Sequence, residues 1–281
     1  MGNRSLILAV VVVLAAASLE AAVLYDFRQT ARTDSTGPVA GEIEGKGVID
    51  GDRSRVDFLR GNLYSKGSYI ISIRGAQQIL LVNPKRKSYA EIDLSAVANR
   101  LASGDLKITN LKTRVDKLPD HPTVSGFPTD HYRVETTYQI TWTGGPLPLT
   151  QSVKTVVEKW TTNAFGDVAE SFLDESALRT GDPAFDQLIE AETSKIKGLP
   201  LRQLTTVTAQ GTGSLAQSSS RVSTPPTRTH VTEILLSNIR MESVPSATFE
   251  IPDDFRKAEH GDSAADETRV HVLSLEEARP Q

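Results

Sequence analysis

His121 and His131 are the first residues of this chain to weigh for chemistry, because two imidazoles ten positions apart around a Pro- and Gly-containing loop could converge on a metal ion. Each follows an aspartate. His121, however, lies in a turn-rich Asp-His-Pro segment, and His131 falls on the polar side of an alternating run, so both read as surface residues. His230 opens a strand-like run, while His260 and His271 belong to a charged C-terminal stretch. No nucleophile is marked out beside any of them, so no Ser–His–Asp arrangement can be built. Asp50 and Asp52 could pair as carboxylates or bind Ca²⁺, but a Ca²⁺ loop needs several more oxygen ligands at set spacing, and Asp50-Gly51-Asp52 reads first as a turn. Ser194-Lys-Ile-Lys197 matches S-x-x-K formally; it falls where a helix would end, and lysines there complement the helix dipole. Gly45-Lys-Gly47 misses the dinucleotide-binding spacing by one residue, and G-x-S-x-G, H-E-x-x-H and P-loop patterns do not occur. With no cysteine, thiolate metal sites, Cys nucleophiles and disulfides are excluded. The expectation is a protein that is not an enzyme, with no catalytic residues, no metal site and no cofactor. Lys85-Arg86-Lys87 reads as a solvated hairpin tip, with contact to anionic headgroups as the alternative.

What has to be positioned is therefore apolar rather than reactive. The 281 residues suit one large or two ordinary domains, and 38% of them are hydrophobic, which excludes collagen, coiled coil and wholesale disorder. Val, Ile and Thr account for 65 residues, an enrichment that favours pleated, half-buried strands. A net charge of −4 argues against a phosphate-backbone binder, so no nucleic-acid partner is expected.

From Val23 the sequence reads as strands separated by turn residues. Val23, Tyr25 and Phe27 share one face of the first run. Runs at 39–50 and 54–60 flank the Asp-Gly-Asp hairpin turn. Tyr69, Ile71 and Ile73 alternate together, and Gln78 to Val82, apolar on both sides, reads as a strand central in the sheet. The cleanest strand runs from Asp130 to Trp142, with Tyr132, Val134, Thr136, Tyr138, Ile140 and Trp142 on one face and His131, Arg133, Glu135, Thr137, Gln139 and Thr141 on the other. Further strands are expected at 151–162, 201–209 and 230–241. Tyr25, Phe27, Tyr69, Ile71, Ile73, Tyr132, Val134, Tyr138, Trp142 and Trp160 would form much of an inner face, and are the candidate apolar ligand-facing residues if a curved sheet leaves that face partly unfilled.

Two segments follow helical spacing. Leu94, Val97, Ala98 and Leu101 stop before Gly104; Phe185, Leu188, Ile189 and Ile196 follow Asp182-Pro183 and end at Gly198. Both short helices are expected to pack against or plug the concave face of an antiparallel sheet forming a half-open barrel. Residues 210–226, rich in Gly, Ser, Thr and Pro, read as a long mobile hairpin loop, and 258–281 as a disordered charged tail. Residues 1–22 have the layout of a secretory signal peptide: Arg4, then twelve apolar residues from Leu6 to Ala17, then small residues. The domain is thus expected at 23–257, periplasmic or secreted, with no transmembrane span after cleavage; the alternative is an uncleaved N-terminal helix anchoring it to the inner membrane.

In their order along the chain, several short segments resemble a bacterial domain-of-unknown-function family within the LolA-like superfamily of periplasmic lipoprotein and lipid carriers. They are Ile49-Asp-Gly-Asp52-Arg53 with Arg55, Leu81-Val-Asn-Pro84-Lys-Arg-Lys-Ser-Tyr89, Gly126 leading to Tyr132, Glu158-Lys-Trp160, Lys197-Gly-Leu-Pro200, and Phe249-Glu-Ile-Pro252 with Phe255. The resemblance implies a half-open antiparallel barrel around short helices, with a hydrophobic concavity that shields acyl chains. It implies as function an exported carrier for a lipid, acyl chain or lipoprotein, without catalysis. The alternative is a structural or envelope-sensing module with a self-filled core that binds an envelope protein; an exported hydrolase has least support, because no nucleophile or metal constellation occurs. No functional residue of the known carriers maps onto a position here.

Overall fold

The structure, a computed structural model, describes residues 21–33, 39–61, 64–73, 78–91, 106–143, 149–166, 186–187, 190, 194–213 and 227–258. The expected signal segment lies outside them except for its last two residues. β1 (Ala22–Arg32) pairs antiparallel with β2 (Val39–Asp50). At the turn that follows, Gly51 takes φ 58° and Asp50 pairs with Arg53, which starts β3 (Arg53–Gly61). β4 (Tyr69–Ile73), β5 (Gln78–Asn83) and β6 (Ser88–Glu91) continue as short antiparallel strands. β7 (Leu106–Lys117) has no counterpart among the expected strands. A small hairpin of β8 (Thr123–Val124) and β9 (Phe127–Pro128) turns at Ser125 and Gly126, both with positive φ. β10 (Asp130–Trp142), whose limits match the alternating run, leads to β11 (Leu149–Thr162), β12 (Leu199–Gly213) and β13 (Thr227–Glu242). A 3-10 turn at Ser246–Phe249 and β14 (Arg256–Lys257) end the described chain.

The molecule is mainly β. Among the described residues twelve strands form one large sheet in the order β14-β6-β5-β4-β3-β2-β1-β13-β12-β11-β10-β7, antiparallel except where β14 runs parallel to β6. It does not close on itself. The two hydrophobic clusters lie on opposite faces of this sheet, as the register requires. Tyr25 stands opposite Gly47, Phe27 opposite Gly45, and Gly45 opposite Phe58, so these share a face with Val23, Ile49, Leu201 and Leu236 of the first cluster. Arg55 stands opposite Ile71 and Asp57 opposite Tyr69, one residue out of phase, which turns Tyr69, Ile71, Leu80, Val82 and Phe249 to the other side.

Two expectations need correction. β5 is not central but third from an edge of the sheet. Leu80 and Val82 are buried nonetheless, because Phe249 and the partly buried Val244, Ile251 and Phe255 cover the outer face of this edge-proximal strand. The two plugging helices also lack support. The first falls outside the described residues. Of the second, Asp186, Gln187 and Glu190 have helical backbone and the Ser194 N–H bonds to the Glu190 carbonyl, but no helix packed on the sheet is found among the described residues. Among the described residues, the β8–β9 hairpin covers the first cluster. Val124 and Phe127 pack against that cluster, Phe127 meets the Phe165 ring at 5.0 Å, and the Ser125 hydroxyl bonds to the Leu236 carbonyl.

Candidate functional site

A pocket of about 340 Å³ opens on the face of the first cluster, between β1, β2 and β3 on one side and β11, β12 and β13 on the other. Its floor follows from two glycines. A Cβ at Gly47 would overlap the Tyr25 ring, and one at Gly45 would overlap the Phe27 ring and the Asp57 carbonyl, so the two aromatic side chains of β1 lie across the bare backbone of β2. Phe27 meets Phe58 edge to face at 6.3 Å, and Phe58 stacks on Tyr64 at 3.9 Å, which continues the aromatic wall. Ile43, Val56, Leu199, Pro200, Ile234 and Leu236 complete the apolar lining. Where β1 and β13 shift register between Leu24 and Asp26, Asn238 takes φ 51° and its amide donates to the Asp26 carboxylate at 2.7 Å. This bulge bends the strands at the pocket wall.

The lining is graded. Phe165, Val23 and Ile49, with the β8–β9 hairpin, close the end beyond Tyr25. The three polar lining residues, Lys159, Gln203 and Gln29, fall at the other end in a single row across β11, β12, β13 and β1, with Ile234 completing the row. Lys159 is the single cation among the described lining residues, and no carboxylate is among them. Burial pushes the Tyr25 phenol well above its ordinary value, which keeps it neutral.

The candidate ligand-facing stripe is divided. Tyr25 and Phe27 line the pocket. Tyr132, Val134, Tyr138 and Trp142 share the pocket face, with Tyr132 directly opposite Lys159, but they lie on β10 outside the lining. Burial also raises the pKa of Tyr138, against a hydrogen bond to Thr155 that lowers it. Tyr69, Ile71 and Ile73 face the other side and belong to the second cluster. Trp160 stands opposite His131 and Arg202, again on the other side. Alternation within each strand is legible in the sequence; the phase between strands is not, because it depends on the register across β3 and β4 and on bulges. Val56, Phe58, Tyr64, Leu199 and Leu236 are pocket residues that the stripe omitted. The cross-strand glycines opposite two aromatics were the available signal.

His131 corrects its surface reading. It is 7% exposed, with its ring stacked on Trp160 at 4.3 Å and its Nδ1 2.9 Å from the Asp120 carboxylate. The Arg202 guanidinium lies 4.5 Å from the same Trp160 ring. The hydrogen bond from His131 holds the Asp120 carboxyl below its ordinary value. His121, which is exposed, pairs with Asp130 at 3.2 Å, so each histidine engages the other's neighbouring aspartate and the two do not form a joint site. No group of three or more metal-ligating side chains occurs among the described residues.

The segments that carry the family resemblance also have places in the fold. Arg53 lies over the Phe249 ring at 4.7 Å. Arg55 lies over Tyr69 at 3.8 Å while donating to Asp57 and to the Thr248 carbonyl, which clips the 3-10 turn to the sheet. Lys87 pairs with Asp254 at 2.6 Å. Gly198 takes φ 85° where a Cβ would strike the Thr162 carbonyl. In comparison with known proteins, no protein-family model and no curated protein matches the chain.

Proposed function

We propose that this protein is an exported, non-catalytic binding or carrier protein whose pocket holds an acyl chain of a lipid or of an acylated protein. The observation that carries the reading is the pocket of about 340 Å³ lined by four aromatic rings and six aliphatic or proline side chains. Its volume falls in the range of small-molecule sites, roughly 300–1,000 Å³, and such sites are mostly apolar with a few placed polar groups. The N-terminal segment, with its cation, apolar run and small residues, supports export to the periplasm. The resemblance to lipid carriers points the same way.

The path of the chain supports a strongly curved, half-open form of the sheet. Residues 92–105 connect β6 to β7, which lie near opposite edges of the sheet. Ten strand spacings in a flat sheet would separate them by about 48 Å, and the register carried across the sheet offsets Leu106 from Glu91 by roughly fifteen residues, a further ~50 Å along the strands. The combined separation, about 70 Å, exceeds the roughly 50–54 Å that fifteen chain steps can reach. An offset of that size over that width corresponds to a strand tilt of about 45°, near the range in which strands wrap into barrels.

A second reading has its own support. Phe127 and Phe165 already occupy one end of the pocket face, as a self-filled core would require if the protein were instead an envelope interaction module. Native mass spectrometry of the chain purified from a bacterial periplasm, with organic extraction, separates the two. Stoichiometric acyl species, lost on delipidation and regained on adding lipid, are expected. A mass that stays free of ligand when challenged with lipid would favour the interaction module.

A further inference from the structure

We infer that the pocket binds its acyl chain by a neutral carbonyl, the ester or amide at the root of the chain, which accepts a hydrogen bond from the Tyr25 phenol. This rests on the carrier reading above and adds the class of ligand, an esterified or amide-linked acyl chain rather than a free fatty acid.

Two rings of β1 lie on two glycines of β2, and they differ by one polar atom. Phe27 packs over Gly45 without a hydroxyl, whereas Tyr25 over Gly47 carries one. A buried tyrosine hydroxyl ordinarily has a hydrogen-bond partner. That of Tyr25 has none among the described residues, although Tyr25 is only 6% exposed. Beneath it the peptide groups of β2 belong to the ladders with β1 and β3. Nor is the oxygen sealed in. Among the described residues the unpaired side-chain atoms shut off from solvent are His131 Nε2 and Thr161 Oγ1, so the Tyr25 oxygen meets open space, and the space that Tyr25 lines is the pocket. The bulge sets this aim: Tyr25 is the residue of β1 left without an opposite on β13, and Asn238, bonded to Asp26, holds the irregularity in place.

A hydrocarbon tail laid over this oxygen would displace water from it and leave the phenol unpaired, which lowers affinity; a carbonyl in the same place restores the bond. That carbonyl must be uncharged. The cluster around Tyr25 consists of apolar side chains, Val23, Ile49, Leu201 and Leu236 among them, and burial alone pushes the phenol up, with no cation offsetting it. The same burial penalises a carboxylate. A free fatty acid would keep its head at the polar row, where Gln29 lies four residues along β1, roughly 13 Å away, and so would lay only its chain over Tyr25.

The test is titration of the delipidated chain, purified from a bacterial periplasm, as wild type and as Tyr25→Phe. The probes are methyl dodecanoate, N-methyldodecanamide, dodecanoate and tridecane, each delivered from the same cyclodextrin solution so that its affinity for cyclodextrin cancels between the two proteins. The ester or the amide should bind Tyr25→Phe at least about fivefold more weakly, the effect of one hydrogen bond, and the linkage that loses more identifies the source, a lipid ester or an N-acylated protein. Dodecanoate and tridecane should bind the variant as tightly as the wild type or more tightly, and tridecane binding serves as the folding control. One measurement needs no variant: the infrared band of methyl dodecanoate labelled with ¹³C at its carbonyl should lie at lower frequency in the wild-type complex than in hexane. Ester and amide affinities unchanged in Tyr25→Phe, with the band at its hexane position, would overturn the phenol as donor and leave the acyl pocket standing. A loss shared equally by ester and tridecane would overturn the hydrogen bond in favour of packing. A loss confined to dodecanoate would overturn the neutral class. Binding of none of the probes would refute the acyl-pocket reading itself, and this inference with it.

Discussion

Replacing Gly47 by alanine tests the floor of the pocket directly. A methyl at this position would occupy the space of the Tyr25 ring, whose hydroxyl and adjacent carbons lie against the Gly47 backbone. Tyr25 is only 6% exposed, and the open side toward which its ring can turn is the pocket that it lines. Overpacking of this kind costs about 1–3 kcal/mol. Expelling the ring altogether sets the upper bound, about 4–6 kcal/mol for 150–250 Å² of aromatic surface at ~25 cal/mol per Å². Against this, removing a strand glycine recovers about 0.5–1 kcal/mol of backbone entropy. The expected net loss is therefore roughly 1–2 kcal/mol, read from the urea midpoint at unchanged m-value. A double-mutant cycle gives the sharper result: in a Tyr25→Ala background the methyl has room, and Gly47→Ala should cost nothing or stabilise by up to about 1 kcal/mol. If Gly47→Ala costs the same in both backgrounds, the ring and the glycine are not coupled and the reasoning fails.

Other expectations follow from the two faces and from the shifted groups. Phe249→Ala, which empties a 3%-exposed site in the second cluster, should destabilise the fold by about 3–5 kcal/mol yet leave acyl-probe affinity unchanged in the folded fraction; Phe58→Ala should weaken that affinity. Because the folded Tyr25 phenol ionises well above the 10.0 of the unfolded chain, its contribution to stability is complete below pH 10 and is lost as pH rises beyond it; Tyr25→Phe should show a shallower alkaline decline in chemical denaturation. Asp120, depressed by its bond from His131, acts in the opposite sense: the stability difference between wild type and Asp120→Asn should be present at neutral pH and vanish as pH falls through the folded pKa of the carboxyl. A difference that persisted at the lowest pH would assign the effect to packing. Gly198→Ala should destabilise both through its left-handed backbone and through the Thr162 carbonyl, and an unchanged melting temperature would contradict that local geometry.

Strand identity was legible wherever one face is wet. β10 alternates because Arg133, Glu135 and Thr137 face water while Val134 and Tyr132 do not, and its limits could be read residue by residue. β7 was not legible, since its Lys, Thr and Asn residues give an edge strand little apolar contrast, and Asn110 at φ 57° marks an irregularity where its pairing with β10 shifts register. The hairpin at Asp50-Gly51 announced itself through turn chemistry. The pocket could not be assembled in the same way. Its members come from six strands and, with Tyr64, from the connection between β3 and β4, and whether Tyr25 and Tyr69 share a face depends on how each strand registers with the next, a long-range property that no local period encodes. His131 misled for a related reason: its place in a polar row was read correctly, but the Trp160 ring beside it and Asp120 from the preceding loop bury it.

The pocket lies where it does because the opposite face is occupied in different ways along the sheet. On the side of β4 and β5, the segment after β13 covers that face with Phe249 and Phe255. On the side of β10 and β11 it is a lattice of ion pairs, among them Lys154 with Glu135 at 2.8 Å and Arg114 with Asp116 at 2.8 Å, each worth little but together keeping the face wet. Between the two, β1 and β2 meet with rings on one strand and glycines on the other. A ring laid flat on bare backbone is thin, so the space above it stays open; the same ring lifted by a Cβ would stand into that space. Gly45→Ala and Gly47→Ala should therefore lower dodecanoate affinity even in protein that remains folded, by the loss of several methylene contacts, each worth about 0.8 kcal/mol. Folded Gly47→Ala that binds dodecanoate as tightly as the wild type would show that the open volume does not depend on the flat rings, and that the ligand, if held at all, is held elsewhere on the face.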